Sequence, residues 1–272
     1  MITRLLAAGL VALVLAGGRE ECRLPFTEAL VALESDAESS PPAASATVAR
    51  RLVDMAKRVQ AVKKDGVSRA DALNRVVFGA LGFAREVDDP DLRFVFLSSV
   101  LDSRRGSCVG LGTLYLALGE VLGWRVEGVM MPGHFYVRVD EGERLRNVEL
   151  LRRGEEMPDA WYAQRFAVAG PGAPEYGRAL SPREVLGIVE YDVGKARLRQ
   201  SRWSEARRAF RVATSLFPAL SEAHASLGAT AQLLGSLDEA WAGYRAALRE
   251  NPALPGLARN LELLREERER TR

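Results

Sequence analysis

Three residues of this chain are of the types and in the order that thiol chemistry requires: Cys108, His134 and Asn147. Cys108 follows the turn sequence Arg104-Arg105-Gly106-Ser107 and opens an apolar helical run. A thiol at a helix N-terminus meets backbone N–H groups and the positive end of the helix dipole, which favour thiolate. His134 begins a strand two elements later, and Asn147 lies on the strand after that. Such an order supplies a nucleophile, a base and a group that orients the base. Glu149 shares the face of Asn147 by strand alternation and is the second candidate for the orienting role. The plainer reading is that a buried cysteine and a histidine merely pack. Only two cysteines and two histidines occur in the whole chain, however, and one of each falls here. Cys22, Cys108, His134 and His224 lack metal-ligand spacing, so no metal or other cofactor is expected. Gly110-Leu111-Gly112 lacks the third glycine and preceding strand of a phosphate loop.

The elements that must position these residues can be read from periodicity. Helical spacing is predicted for residues 49–62, and Ser68 with Asp71 starts a second helix reaching Phe83. A short helix follows over about 91–101. Leu111, Leu114, Tyr115, Leu118 and Leu122 share one helical face, and Gly123 stops that helix. Strands are predicted from Arg125 to Met130, His134 to Val139 and Arg144 to Leu150, separated by Met131-Pro132-Gly133 and residues 140–143. Helices followed by a small antiparallel meander imply an α+β domain.

The runs Ser107-Cys108-Val109-Gly110-Leu111-Gly112-Thr113-Leu114-Tyr115, Leu122-Gly123-Trp124-Arg125-Val126 and Pro132-Gly133-His134-Phe135-Tyr136-Val137-Arg138 resemble the transglutaminase-like superfamily. The likeness is greatest to its SirB-type branch, whose members join such a domain to C-terminal tetratricopeptide repeats. The resemblance implies a papain/transglutaminase-like core, with Cys108 as nucleophile, His134 as base and Asn147 at the third position, usually aspartate in the superfamily. An amide can orient a histidine but supplies no countercharge.

The second half carries a 34-residue period. Gly194, Ala206, Phe210, Ala213 and Pro218 are matched by Gly228, Ala240, Tyr244, Ala247 and Pro252. Small residues let antiparallel helices approach, the aromatic fills the space between them, and the proline ends the second helix. This is the tetratricopeptide pattern, over 187–220 and 221–254, with a capping helix beyond Leu257. His224, inside the second repeat, has no companion ligand and reads as packing.

With 38 basic and 36 acidic side chains, net charge +2, no nucleic-acid partner is expected. Arg4 ahead of the apolar run Leu5–Ala16 reads as an export signal or an N-terminal anchor, which implies a periplasmic or membrane-attached protein. The expected organisation is a signal or anchor over 1–18, a flexible linker over 19–46 with a short helix near Thr27–Glu34, and a transglutaminase-like domain over 47–168. A linker over 169–181 and an all-α repeat domain over 182–270 complete it. The expected activity is that of a thiol acyltransferase or a peptidase/amidase, on amide or acyl bonds of a protein or peptide. The repeats would bind a protein or peptide partner. The competing expectation is a non-catalytic interaction module that uses a degenerate pocket and the repeat groove.

Overall fold

In the computed structural model, which describes residues 24–38, 45–64, 66–86, 91–166 and 173–270, the chain divides into two units. The first comprises residues up to Val129 together with His134–Trp161, and the second Met130–Gly133 together with residues from Tyr162 onward. The expected export signal and Cys22 lie outside the described residues.

The first unit begins with helices α1 (Pro25–Glu38), α2 (Ser45–Val62) and α3 (Arg69–Asn74), the last running into a π-helical turn over Arg75–Ala80. Ser68 caps α3 by accepting from the Asp71 N–H at 3.0 Å, as its sequence predicts. Strand β1 (Ala84–Arg85), helix α4 (Leu97–Ser103) and strand β2 (Arg105–Gly106) lead to α5 (Cys108–Leu122). The α5 sequence is apolar on nearly every side, and a helix of that kind has to be buried. It forms the centre of the unit, packed by α1, α2, α4 and the sheet. Strands β3 (Val126–Met131), β4 (His134–Asp140) and β5 (Leu145–Val148) follow as an antiparallel meander.

Within the stretch expected as a linker, 19–46, the short helix expected near Thr27–Glu34 is longer. Residues 25–38 form α1, with Leu30 and Val31 buried. Two glutamates hold it. The Glu120 carboxylate accepts from the Phe26 N–H (2.8 Å) and the Thr27 N–H (3.0 Å), while Glu34 accepts from the N–H groups of Leu97 and Ser98 at the start of α4. Each carboxylate thus satisfies orphan donors at a helix N-terminus in another part of the chain. Glu141 does the same for Arg69 and Ala70 at α3.

Helix α6 (Asp159–Arg165) belongs to the first unit up to Trp161 and to the second from Tyr162, and in the second unit strand β6 (Ala179–Leu180) precedes five helices. In the sheet β6 neighbours β3, whose last two residues belong to this unit. Helix α7 (Pro182–Arg199) opens with a complete capping box between Ser181 and Glu184. Helices α8 (Trp203–Leu216), α9 (Ser221–Leu233), α10 (Leu237–Glu250) and α11 (Leu257–Arg270) complete it, with α7 packed on α8 and α9 on α10. The residues spaced by 34 occupy equivalent places. A Cβ on Gly194 would lie 2.4 Å from the Phe210 ring, and one on Gly228 would lie 2.7 Å from Tyr244. No helix among the described residues is long and apolar enough to cross a membrane.

Candidate active site

Cys108 is the first residue of α5, and two devices fix that end of the helix. Ser107 is the N-cap, accepting from the Gly110 N–H at 3.2 Å, while its own N–H donates to the Phe94 carbonyl at 2.7 Å. Gly110 and Gly112 let the first turns of α5 sit against the rest of the unit. A Cβ on Gly110 would fall 2.1 Å from the Phe94 oxygen, and one on Gly112 would fall 2.4 Å from the Phe135 ring. The Gly-Leu-Gly sequence is therefore a packing feature. Because Phe135 follows His134 and Gly112 lies one turn from Cys108, this contact brings the start of α5 to the start of β4. Cys108 is half-buried and carries no disulfide.

His134 is buried, and its Nε2 lies 2.8 Å from Glu149 Oε2, with both side chains less than 5% exposed. A carboxylate only accepts, so the proton of that bond sits on Nε2, and the ring's orientation and tautomer are set together. Glu149 is itself held from several sides. Its Oε1 accepts from the Leu151 N–H at 3.0 Å, its N–H donates to the Glu155 carbonyl at 2.9 Å, and its carbonyl accepts from the Gly154 N–H at 2.9 Å. A brace from distant helices supports the same turn: Tyr115 Oη donates to Asn74 Oδ1 (2.7 Å), and Asn74 Nδ2 donates to the Gly154 carbonyl (2.8 Å).

Asn147, expected at the third position, is placed elsewhere. Its Nδ2 donates to the Met157 carbonyl (2.9 Å) and to Asp159 (2.8 Å), and its Oδ1 accepts from Arg138 Nε (3.0 Å). The register explains this placement. Arg138 pairs with Asn147 and Val137 with Val148, so Asn147 lies level with a residue four positions along β4 from His134. Continuing that register sets Glu149 level with Tyr136, on the same face and close enough to reach the imidazole. Alternation put both candidates on the correct face, but only the register separates them.

Burial pushes the Tyr136 phenol up to about 12, against the opposing pull of Arg138, which donates to its oxygen at 3.0 Å, so the hydroxyl stays protonated. The Asn74–Tyr115 brace was not read from the sequence; its one signal was a polar Asn74 amid the buried positions of α3. Among the described residues no three His, Cys, Asp or Glu side chains group as a metal ion would need.

The family model for the transglutaminase-like superfamily matches residues 46–189, slightly more than half of the chain. Curated relatives include a UPF0162 protein of Vibrio cholerae, 26% identical over 175 residues, covering 62% of this chain and 64% of that protein. A UPF0162 protein of Xylella fastidiosa (strain 9a5c) is 32% identical over 106 residues, 32% of this chain and 38% of its own length. The chain thus spans less than two thirds of the length of these relatives. Among solved structures, one of menin, described as revealing the binding site for the Mixed Lineage Leukemia (MLL) protein, overlaps 89% of this chain and 68% of that one. Its TM-score is 0.42 at 11% identity, too faint a likeness to speak to fold or function.

Proposed function

The chain belongs to the transglutaminase-like superfamily, and from that premise we propose that it is a thiol enzyme acting on amide or acyl bonds of a protein or peptide. The observation that carries this reading is the buried His134–Glu149 pair, on a strand packed beside the helix that Cys108 begins. The Cys108 sulfur attacks the carbonyl carbon as its proton passes to the imidazole. With Nε2 committed to Glu149, the base is Nδ1. The proton then goes to the departing amine as the C–N bond breaks, leaving a thioester that water or a second amine resolves. Glu149 holds the ring and stabilises the imidazolium that forms, and the Cys108 backbone N–H at the helix start is one oxyanion donor. In this reading the third member is Glu149 in place of Asn147.

Residues 182–270 are read as two tetratricopeptide repeats with a capping helix, which bind a protein or peptide partner. The support is the equivalent packing of the 34-residue pairs. Residues 1–18 are read as an export signal or anchor, supported by Arg4 and the apolar run that follows.

The test is the alkylation of Cys108 by iodoacetamide at pH 6, located by mass spectrometry in a Cys22→Ser background. The native thiol should react faster than a peptide cysteine, and His134→Ala should slow it by about ten-fold or more. Reaction at the rate of a peptide cysteine in both proteins would leave a non-catalytic binding module as the better account.

A further inference from the structure

Beside this site lies a cleft of about 430 Å³ between Ala84–Arg85 on one side and Leu150–Arg153 with Glu155 on the other. Resting on the thiol-site reading, we propose that this cleft is a subsite for an acidic segment of a peptide substrate, held through carboxylate side chains by Arg85 and Arg153.

Its position is the first argument. One wall is β1, paired in parallel with β2 through Ala84↔Arg105 and Arg85↔Gly106, and Gly106 is two residues from Cys108. The other wall begins at Leu150, the residue after Glu149. Leu150 also packs against α5, its Cδ1 lying 3.5 Å from where a Cβ on Gly112 would be. The cleft therefore opens between the strand pair that leads to the nucleophile and the segment that leaves the orienting carboxylate. A peptide whose scissile bond met Cys108 would run its neighbouring side chains into it.

Charge is the second argument. Three arginines and one glutamate line the cleft, and Arg152 is paired with that glutamate, Glu155, at 2.5 Å. Arg85 and Arg153 meet no carboxylate among the described residues. Arg85 Nη1 donates to the Leu151 carbonyl at 3.3 Å and Arg153 Nη2 to the Phe78 carbonyl at 2.8 Å. Each bond uses one of the five N–H donors of a guanidinium and anchors it, leaving a planar fork suited to a carboxylate. Two exposed cations on opposite walls of one open cleft raise the positive potential there and attract anions. Arg153 also sits at φ 55°, a left-handed backbone that residues with a side chain seldom adopt, directly before Gly154 at φ 85°. The turn spends its strained position on an arginine.

The test uses the full chain with Cys22→Ser, comparing Cys108 alkylation by iodoacetate and by iodoacetamide. Both reagents consume the same thiolate, so its population cancels in the ratio of their rates. The ratio should fall by about five-fold or more when Arg85→Gln and Arg153→Gln are combined, and at high salt, and should be retained by the paired Arg→Lys changes. Circular dichroism checks that each variant is folded. An equal ratio in the native and Gln proteins would overturn the subsite while leaving the thiol reading intact. A second arm measures fluorescence anisotropy of a labelled Glu-containing peptide and its Gln counterpart with Cys108→Ser protein. The acidic peptide should bind about ten-fold tighter, a preference lost with the two Gln changes. Equal binding of the two peptides would overturn the proposal. Should Cys108 react with neither reagent, the thiol reading fails and the peptide arm alone decides the cleft.

Discussion

Both units bury glutamates near the start of a structural element, and they treat them in opposite ways. In the first unit each oxygen of Glu149 has a donor: His134 Nε2 for one and the Leu151 N–H for the other. In the second unit Glu175 accepts from Ser221 Oγ at 2.5 Å and Glu222 from Tyr176 Oη at 2.7 Å, and the Oε2 atom of each is buried without a partner. A buried carboxylate with a donor on each oxygen has its hydrogen-bonding needs met. One that is half satisfied is pushed toward its neutral form. The unit that carries the site has paired its acids, and the helical unit has stored an electrostatic cost.

The sharpest way to break this contrast is Glu149→Ala. It leaves the imidazole N–H and the Leu151 N–H buried without acceptors, each worth about 1–3 kcal/mol. Hydrogen exchange over residues 126–150 should therefore accelerate strongly, and low-pH alkylation of Cys108 should slow with it. Unchanged protection would mean that the His134–Glu149 pair does not organise the strands around it.

A smaller effect is expected in the second unit. Burial, with a further push from Glu175 and Asp192, moves the Glu222 carboxyl from 4.5 up to about 7, against the hydrogen bond from Tyr176 and the charge of Lys195. The folded chain then holds a proton between about pH 4.5 and 7 that the unfolded chain has released. Stability falls as pH rises through that window and levels off above it. The full extent is roughly 3 kcal/mol, at about 1.4 kcal/mol per pH unit. Glu222→Gln should flatten the dependence, so that its urea midpoint changes little between pH 5 and pH 8 while the native midpoint drops. Parallel curves would show that the carboxyl does not titrate in that range.

The sequence made some of this plain and hid the rest, for physical reasons. The capping serines at 68 and 181 are local signals, and each caps its helix in the structure, while the 34-residue period is a periodic signal whose matched glycines each meet an aromatic ring. A short helix near Thr27–Glu34 is legible in the sequence, but its full reach from Pro25 to Glu38 is not. What holds it is Glu120, more than ninety residues away, and no local pattern announces such a cap. The choice between Asn147 and Glu149 depended on strand register. Both residues share a face, and the loop over residues 141–144 did not reveal which lay nearer His134.

That choice yields the smallest predicted effect and the most direct check on the site. Asn147 is half-buried and bonds to Met157, Asp159 and Arg138. Asn147→Ala deletes those bonds, but Arg138 keeps Asp159 (3.2 Å) and Tyr136 (3.0 Å) as partners, and the Met157 carbonyl is left close to solvent. The loss should be about 1 kcal/mol. The Cys108 alkylation rate at pH 6 should stay within about two-fold of native, because nothing that touches the imidazole has moved. Asn147→Asp should destabilise more than the alanine change. It removes both Nδ2 donors and sets a second carboxylate where the amide now meets Asp159 at 2.8 Å. An orienting residue would give the opposite ranking, with aspartate restoring or exceeding native reactivity and alanine suppressing it. Measuring both variants beside Glu149→Ala therefore assigns the third member of the site from the order of three rates.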